Sequence, residues 1–165
     1  MTIPHRGTTS DSTYFVTANV FEKKSLFQVE KIALLFVEVL LNYRAEGKYL
    51  LHEFVVMPDH FHLLISPNLI TLERSLQLIK GGFSFRLNKS LKVKRDVWQT
   101  SFLDRRVRDS LEYQKYKEYI WQNPVKRGLA KTPEQYLFSS ANPLYQIDPV
   151  PQRLKPISSS ALPQA

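Results

Sequence analysis

The chain has 165 residues, 43% hydrophobic and 12% aromatic, a composition that suits one domain with a full core. It contains no cysteine, which excludes a disulfide framework and any cysteine-based zinc site, and no apolar run approaches the ~20 residues of a membrane span. Lys and Arg number 23 against 15 Asp and Glu, and the net charge of +8 favours a polyanionic partner, nucleic acid before membrane.

In chain order, residues 1–13 form a polar leader without the hydrophobic segment of a secretory signal, so a cytoplasmic protein is expected. Tyr14-Phe15-Val16-Thr17 has strand composition. From Val29 to Glu46 the apolar positions Ile32, Leu35, Phe36, Val39, Leu40 and Tyr43 recur at helical spacing, and Gly47 sits where a C-terminal cap belongs. A second strand is expected over Tyr49 to Met57, and Pro58-Asp59 turns it into a third that carries His60 and His62. Thr71 should cap a helix whose core stripe is Leu72, Leu76, Ile79, Phe83 and Leu87. Glu73, Gln77, Lys80, Ser84 and Asn88 form its polar stripe. The mid-helix pair Gly81-Gly82, costing about 1 kcal/mol per glycine relative to alanine, marks a close approach or a kink. A basic connection, Lys89 to Arg95, leads to strand-like composition from Val97 to Val107. Asp109 or Ser110 then caps a third helix, which Pro124 is expected to terminate. From Asn142 onward Pro, Ser and Gln dominate, so a loosely held tail is expected over 142–165 behind a domain of 14–141.

Strand, helix, strand, strand, helix, strand, then a C-terminal helix is an α+β order. It matches the ferredoxin-like split βαβ pattern, an antiparallel sheet with two helices on one face. Strand side chains alternate, so His60 and His62 share a face while Phe61, Leu63 and Ile65 point to the other. With the aliphatic face turned to the two helices, the histidines lie on the open side, which only the third helix is left to cover. Tyr119 and Asn123 on that helix are four apart and neighbours. Two imidazoles and an amide oxygen can hold a hard divalent cation, and a phenol beside it can attack phosphorus. An isolated phenol titrates near 10, so a metal or a basic neighbour has to help remove its proton.

Two stretches, Val56-Met57-Pro58-Asp59-His60-Phe61-His62-Leu63-Leu64 and Tyr119-Ile120-Trp121-Gln122-Asn123-Pro124-Val125-Lys126-Arg127-Gly128-Leu129, closely resemble the single-tyrosine HUH transposases. The REP-associated branch is the best match. Ile79-Lys80-Gly81-Gly82-Phe83-Ser84 and Trp98-Gln99-Thr100-Ser101-Phe102-Leu103-Asp104 are similar to that branch's internal motifs. The resemblance runs from about Tyr14 to Ala141. It implies a transposase that nicks and rejoins single-stranded DNA beside a REP-like hairpin, with Mg²⁺ or Mn²⁺, through a 5′-phosphotyrosine. It further implies Tyr119 as nucleophile, with His60, His62 and Asn123 as metal ligands. Relatives act as monomers or homodimers.

Other readings stand beside these. Helical geometry alone does not separate Tyr116 from Tyr119 as nucleophile, and Asn123 is also the residue before a proline. Asp59, where the family often has asparagine, either caps the turn or backs a metal ligand. Thr17-Ala18-Asn19 departs from a stretch where aromatic or arginine residues are common in the family, which leaves target sequence open. His52 lies on a separate strand and reads as structural, and His5 in the leader has no role. Lys80, Arg86, Lys92, Lys94, Arg105, Arg106, Arg108, Lys126 and Arg127 are the candidates for phosphate neutralisation, and Trp98 and Phe102 for stacking on unpaired bases. The competing functions are a catalytically idle hairpin-binding protein and a metal-dependent hydrolytic nuclease.

Overall fold

A computed structural model describes residues 12–156; the first eleven residues, His5 among them, and the last nine lie outside it. Alternating hydrophobicity builds four antiparallel strands, β1 (Tyr14–Asn19), β2 (Tyr49–Met57), β3 (His60–Pro67) and β4 (Leu103–Arg106), in the order β2-β3-β1-β4. Helices α1 (Glu30–Ala45) and α2 (Leu72–Leu91) supply the two crossovers of the split βαβ pattern, and α3 (Ser110–Lys126) follows β4. Val16, Ala18, Phe61, Leu63 and Ile65 pack against α1 and α2 in the main core, joined by the α2 stripe Leu72, Leu76, Ile79, Phe83 and Leu87. A smaller cluster on the opposite face gathers Val55, Met57, Leu64, Val107, Tyr113, Ile120 and Leu154. Thr71 caps α2 by accepting from the Arg74 amide at 3.0 Å, and Asp109 caps α3 by accepting from Glu112 at 2.8 Å, each worth about 1 kcal/mol.

Four expectations need correction. The stretch Val97–Val107 forms a strand only over Leu103–Arg106, although Trp98 bridges Val20 upstream of it. Pro124 does not terminate α3, which continues to Lys126 and ends at Gly128 with φ +73°. A proline so near the end forfeits one helical hydrogen bond, its own N–H to the fourth residue back, and Asn123 stays helical. Residues 142–156 are docked, not loose. Asp148 takes a bidentate pair with Arg44 (2.8 and 3.1 Å) and the Leu51 amide at 2.8 Å, Tyr145 packs edge-on to Phe54, and Leu154 is fully buried. Composition undervalued this segment because a few well-placed anchors hold it. Finally, α3 shares the second face with this docked segment, so it is not the only cover there.

Residues 138–148, which lead into this docked segment, close the outer edge of β2. Val56 donates to Phe138, Ser140 to Phe54 and Asp148 to Leu51 through their main chains, which removes an open pairing edge. A β-bulge between Leu51 and Glu53 shifts the register of β2. Leu51 pairs with Ile65 on the main-core side, whereas Glu53 pairs with Leu64 on the α3 side.

Candidate active site

Register places the site. Asn19 lies opposite His60, Thr17 opposite His62 and Phe15 opposite Leu64, so the outward residues of β1 and β3 form one strip beneath α3. The rings of His60 and His62 stand 4.8 Å apart, centroid to centroid. His60 Nδ1 meets Asp59 Oδ1 at 2.6 Å, and His62 Nδ1 meets the Thr17 hydroxyl at 2.8 Å. Each ring is thus engaged through Nδ1, the arrangement usual for metal-ligating histidines. His62 Nε2 is buried without a partner. Burial, together with the neighbouring His60, drives the His62 pKa down to about 3. His60 is also lowered, chiefly by burial, against the pull of Asp59 and with help from Arg127 and Lys23. Both rings are therefore neutral at pH 7, the form that donates a lone pair.

Tyr119 comes to this strip from α3. Its ring meets His62 edge-on at 5.2 Å and Phe15 at 5.8 Å, and it is 46% exposed, open to a substrate. Tyr116 instead stacks flat on Phe15 at 4.5 Å and 11°. Phe15 also lies nearly parallel to His62 at 5.3 Å and 16°. Phe15 therefore touches the rings of His62, Tyr116 and Tyr119 at once, and sequence reasoning had given it no role beyond its strand. The available signal was its parity with Thr17 on β1, which needs the β1–β3 register to be read. Asn123, buried, follows one turn after Tyr119. A groove of about 410 Å³ opens beside Tyr119, lined by Phe15, Lys115, Tyr116, Glu118, Gln122 and Lys126.

Asp59, in the turn between β2 and β3, bonds the His60 ring through its carboxylate. His52 has both nitrogens engaged, by the Pro149 carbonyl and Ser66 Oγ, each at 2.8 Å. Of the basic candidates, Lys126 lines the groove, and Arg105, opposite Phe15 in register, shares the face of the site; Arg106 lies opposite Tyr14 on the other face. Arg127 is near enough to Asp59 and His60 to shift both. Arg108 and Arg86 are held by Glu112 and Glu38. Lys80 donates to the Gln99 carbonyl and lies 6.0 Å from the centroid of Trp98, away from the histidine strip. Lys92 and Lys94 are exposed on the far connection. Trp98 and Phe102 pack against the main core.

The match of residues 8–123 to the family model "Transposase IS200 like" is decisive. The chain belongs to the IS200-like transposase family. This transposase is 24% identical over 143 residues to the REP-associated tyrosine transposase of Escherichia coli (strain K12), spanning 82% of this chain and 83% of that one. A Haemophilus influenzae relative named for the same branch is 27% identical over 96 residues, 52% of this chain and 54% of its own. Among solved structures, a REP-associated tyrosine transposase bound to a REP hairpin superposes with a TM-score of 0.69 at 23% identity, covering 96% of this chain and all of the other. That likeness establishes the transposase fold.

The residues fit a divalent metal. The orphaned, buried Nε2 of His62 and the His60 ring, 4.8 Å from the His62 ring between centroids, place two imidazoles side by side on one strand. Among the described residues no cluster of three or more His, Cys, Asp or Glu exists.

Proposed function

We propose that this transposase nicks and rejoins single-stranded DNA at REP-like hairpins through a phosphotyrosine formed on Tyr119. The observation that carries this reading is the contact of a half-exposed tyrosine with a buried histidine whose Nε2 is unpartnered. His60, His62 and Asn123 would hold Mg²⁺ or Mn²⁺, which when bound supplies charge stabilisation to the phosphate under attack. Asp59 and Thr17 hold the two imidazoles through Nδ1, which leaves Nε2 for the metal. Phe15 and Tyr116 wall the groove so that the Tyr119 ring approaches from one side. Lys126 and Arg105 flank that wall and neutralise DNA phosphates.

In the cleavage step the Tyr119 oxygen attacks phosphorus and the bond from phosphorus to the 3′ oxygen breaks. The phenolic proton is lost and the departing 3′ oxygen gains one. The products are a 5′-phosphotyrosine and a free 3′-OH. Rejoining runs the same exchange backward, so the bond is conserved and no nucleotide triphosphate is consumed.

The test is a denaturing gel of end-labelled single-stranded hairpin DNA with Mn²⁺, taken from repeats flanking the gene. A covalent adduct present in wild type and Tyr116→Phe but absent from Tyr119→Phe is the expected result. Cleavage without adduct would establish a hydrolytic nuclease instead, and binding without cleavage an idle hairpin-binding protein.

A further inference from the structure

Glu53 is 5% exposed, on the sheet beneath α3, and takes no part in the chemistry described above. Its Oε2 accepts from the Trp121 indole N–H at 2.9 Å and from the Ser140 hydroxyl at 2.5 Å, while Oε1 lies 3.8 Å from Lys117 Nζ. Lys117 in turn sits 4.9 Å from the centroid of the Trp121 ring. One carboxylate thereby ties together β2, α3 and the segment that closes the β2 edge. Burying a carboxylate is costly unless such partners compensate it, so its presence asks for a reason. The bulge sharpens the question. Without the register shift between Leu51 and Glu53, strand alternation would send Glu53 into the main apolar core beside Leu51. Bulges re-aim side chains, and this one aims a carboxylate at the tyrosine helix.

Lys117 and Trp121 flank Tyr119 by two residues on either side, about 160° around the helix from it. Tyr119 and Tyr116 are held on the other side by Phe15 and His62. The helix is thus gripped on both flanks, by aromatic contact on one and by a buried charge on the other.

We infer that Glu53 is a positioning residue that fixes the roll of α3 and so the reach of the Tyr119 oxygen toward the histidines. The lever is long. With Cα atoms about 2.3 Å from the axis and a tyrosine side chain of roughly 6.5 Å, the oxygen sits roughly 9 Å out, so a roll of about 6° moves it about 1 Å. A misplacement of that size costs about 10²-fold in rate.

This inference rests on the Tyr119 reading, and the experiment separates the two. Adduct formation at saturating hairpin DNA, hairpin Kd and Tm would be measured for wild type, Glu53→Gln, Trp121→Phe and the double variant. The expected result is a rate lowered at least tenfold in each single variant, a Kd within twofold of wild type, and a double variant no slower than the slower single one. In parallel, the nuclear Overhauser contact between the Tyr119 and His62 rings should weaken in Glu53→Gln. Wild-type rates in folded Glu53→Gln and Trp121→Phe would overturn the inference, as would rates that fall only in proportion to the folded fraction. If wild type forms no adduct at all, the Tyr119 chemistry fails, and the ring contact alone then decides whether Glu53 sets the helix.

Discussion

Replacing Phe15 with leucine removes the ring that touches His62, Tyr116 and Tyr119 while keeping an apolar side chain on β1. Trimming a half-buried phenylalanine to leucine costs about 0.5–1.5 kcal/mol in lost burial. Three aromatic pairs are lost as well, at centroid distances of 4.5, 5.3 and 5.8 Å. Such pairs contribute about 0.5–1.5 kcal/mol each beyond area, and the lower end applies because Phe15 is only half-buried. The sum is about 2–3 kcal/mol, or a fall in Tm of roughly 4–12 °C for a chain of this size. The site should suffer more than the fold, because the wall that holds His62 and Tyr119 at their mutual angle is gone. An adduct rate at saturating DNA lowered about 10- to 100-fold is expected at temperatures where the variant remains folded. Urea melts and single-turnover gels on the same preparation measure both quantities. A variant with the expected loss of stability but an unchanged adduct rate would refute the reasoning, since Phe15 would then be packing alone.

Further outcomes follow from the site and the core. Asp59→Ala should weaken Mn²⁺ binding, measured calorimetrically without DNA, by about 10- to 100-fold, whereas Asp59→Asn, which keeps an acceptor for His60 Nδ1, should lose far less. Stability should fall as pH drops below about 6.5, because the unfolded histidines take up protons that folded His62 (down to about 3), His60 and His52 refuse. Each such proton contributes a slope of about 1.4 kcal/mol per pH unit, and urea midpoints that stay flat between pH 6.5 and 4.5 would contradict it. Gly81→Ala should raise stability by about 0.5–1 kcal/mol, since an added Cβ meets open space. Gly82→Ala should not, because its Cβ would lie 2.6 Å from the Tyr43 hydroxyl and force that side chain aside. Paired thermal melts distinguish the two.

Wherever the pattern was periodic and local, the residues spoke for themselves. The α2 stripe from Leu72 to Leu87, the Thr71 cap, the Pro58-Asp59 turn and the shared face of His60 and His62 are all consequences of side-chain spacing. What stayed hidden depends on partners far along the chain. Phe15 acquires its three ring neighbours only once β1 pairs with β3 and α3 folds over them. Glu53 follows His52 in an otherwise largely apolar strand, and its direction is set by a bulge that no local pattern in Leu50-Leu51-His52-Glu53-Phe54 announces. Asp148 finds Arg44 across 104 positions, so composition could not reveal that the Pro-rich segment is anchored. Pro124 misled in a different way. The rule against proline in helices is strongest in the interior, and it weakens within the final turn.

The segment that closes β2 bears on how this protein is made. During synthesis β2, β3 and α3 all emerge before residues 138–148. Until those residues arrive, the outer main-chain groups of β2 have no partner and the Glu53 carboxylate lacks the Ser140 hydroxyl. Contacts of such long sequence separation form late and slowly. A chain stopped near residue 137 would carry His60, His62, Tyr119 and Asn123, yet expose a nine-residue strand edge that can pair with a second copy. Support of the tyrosine helix is thus completed only once residues 138–148 have been synthesised, and folded fragments that stop before them should be scarce.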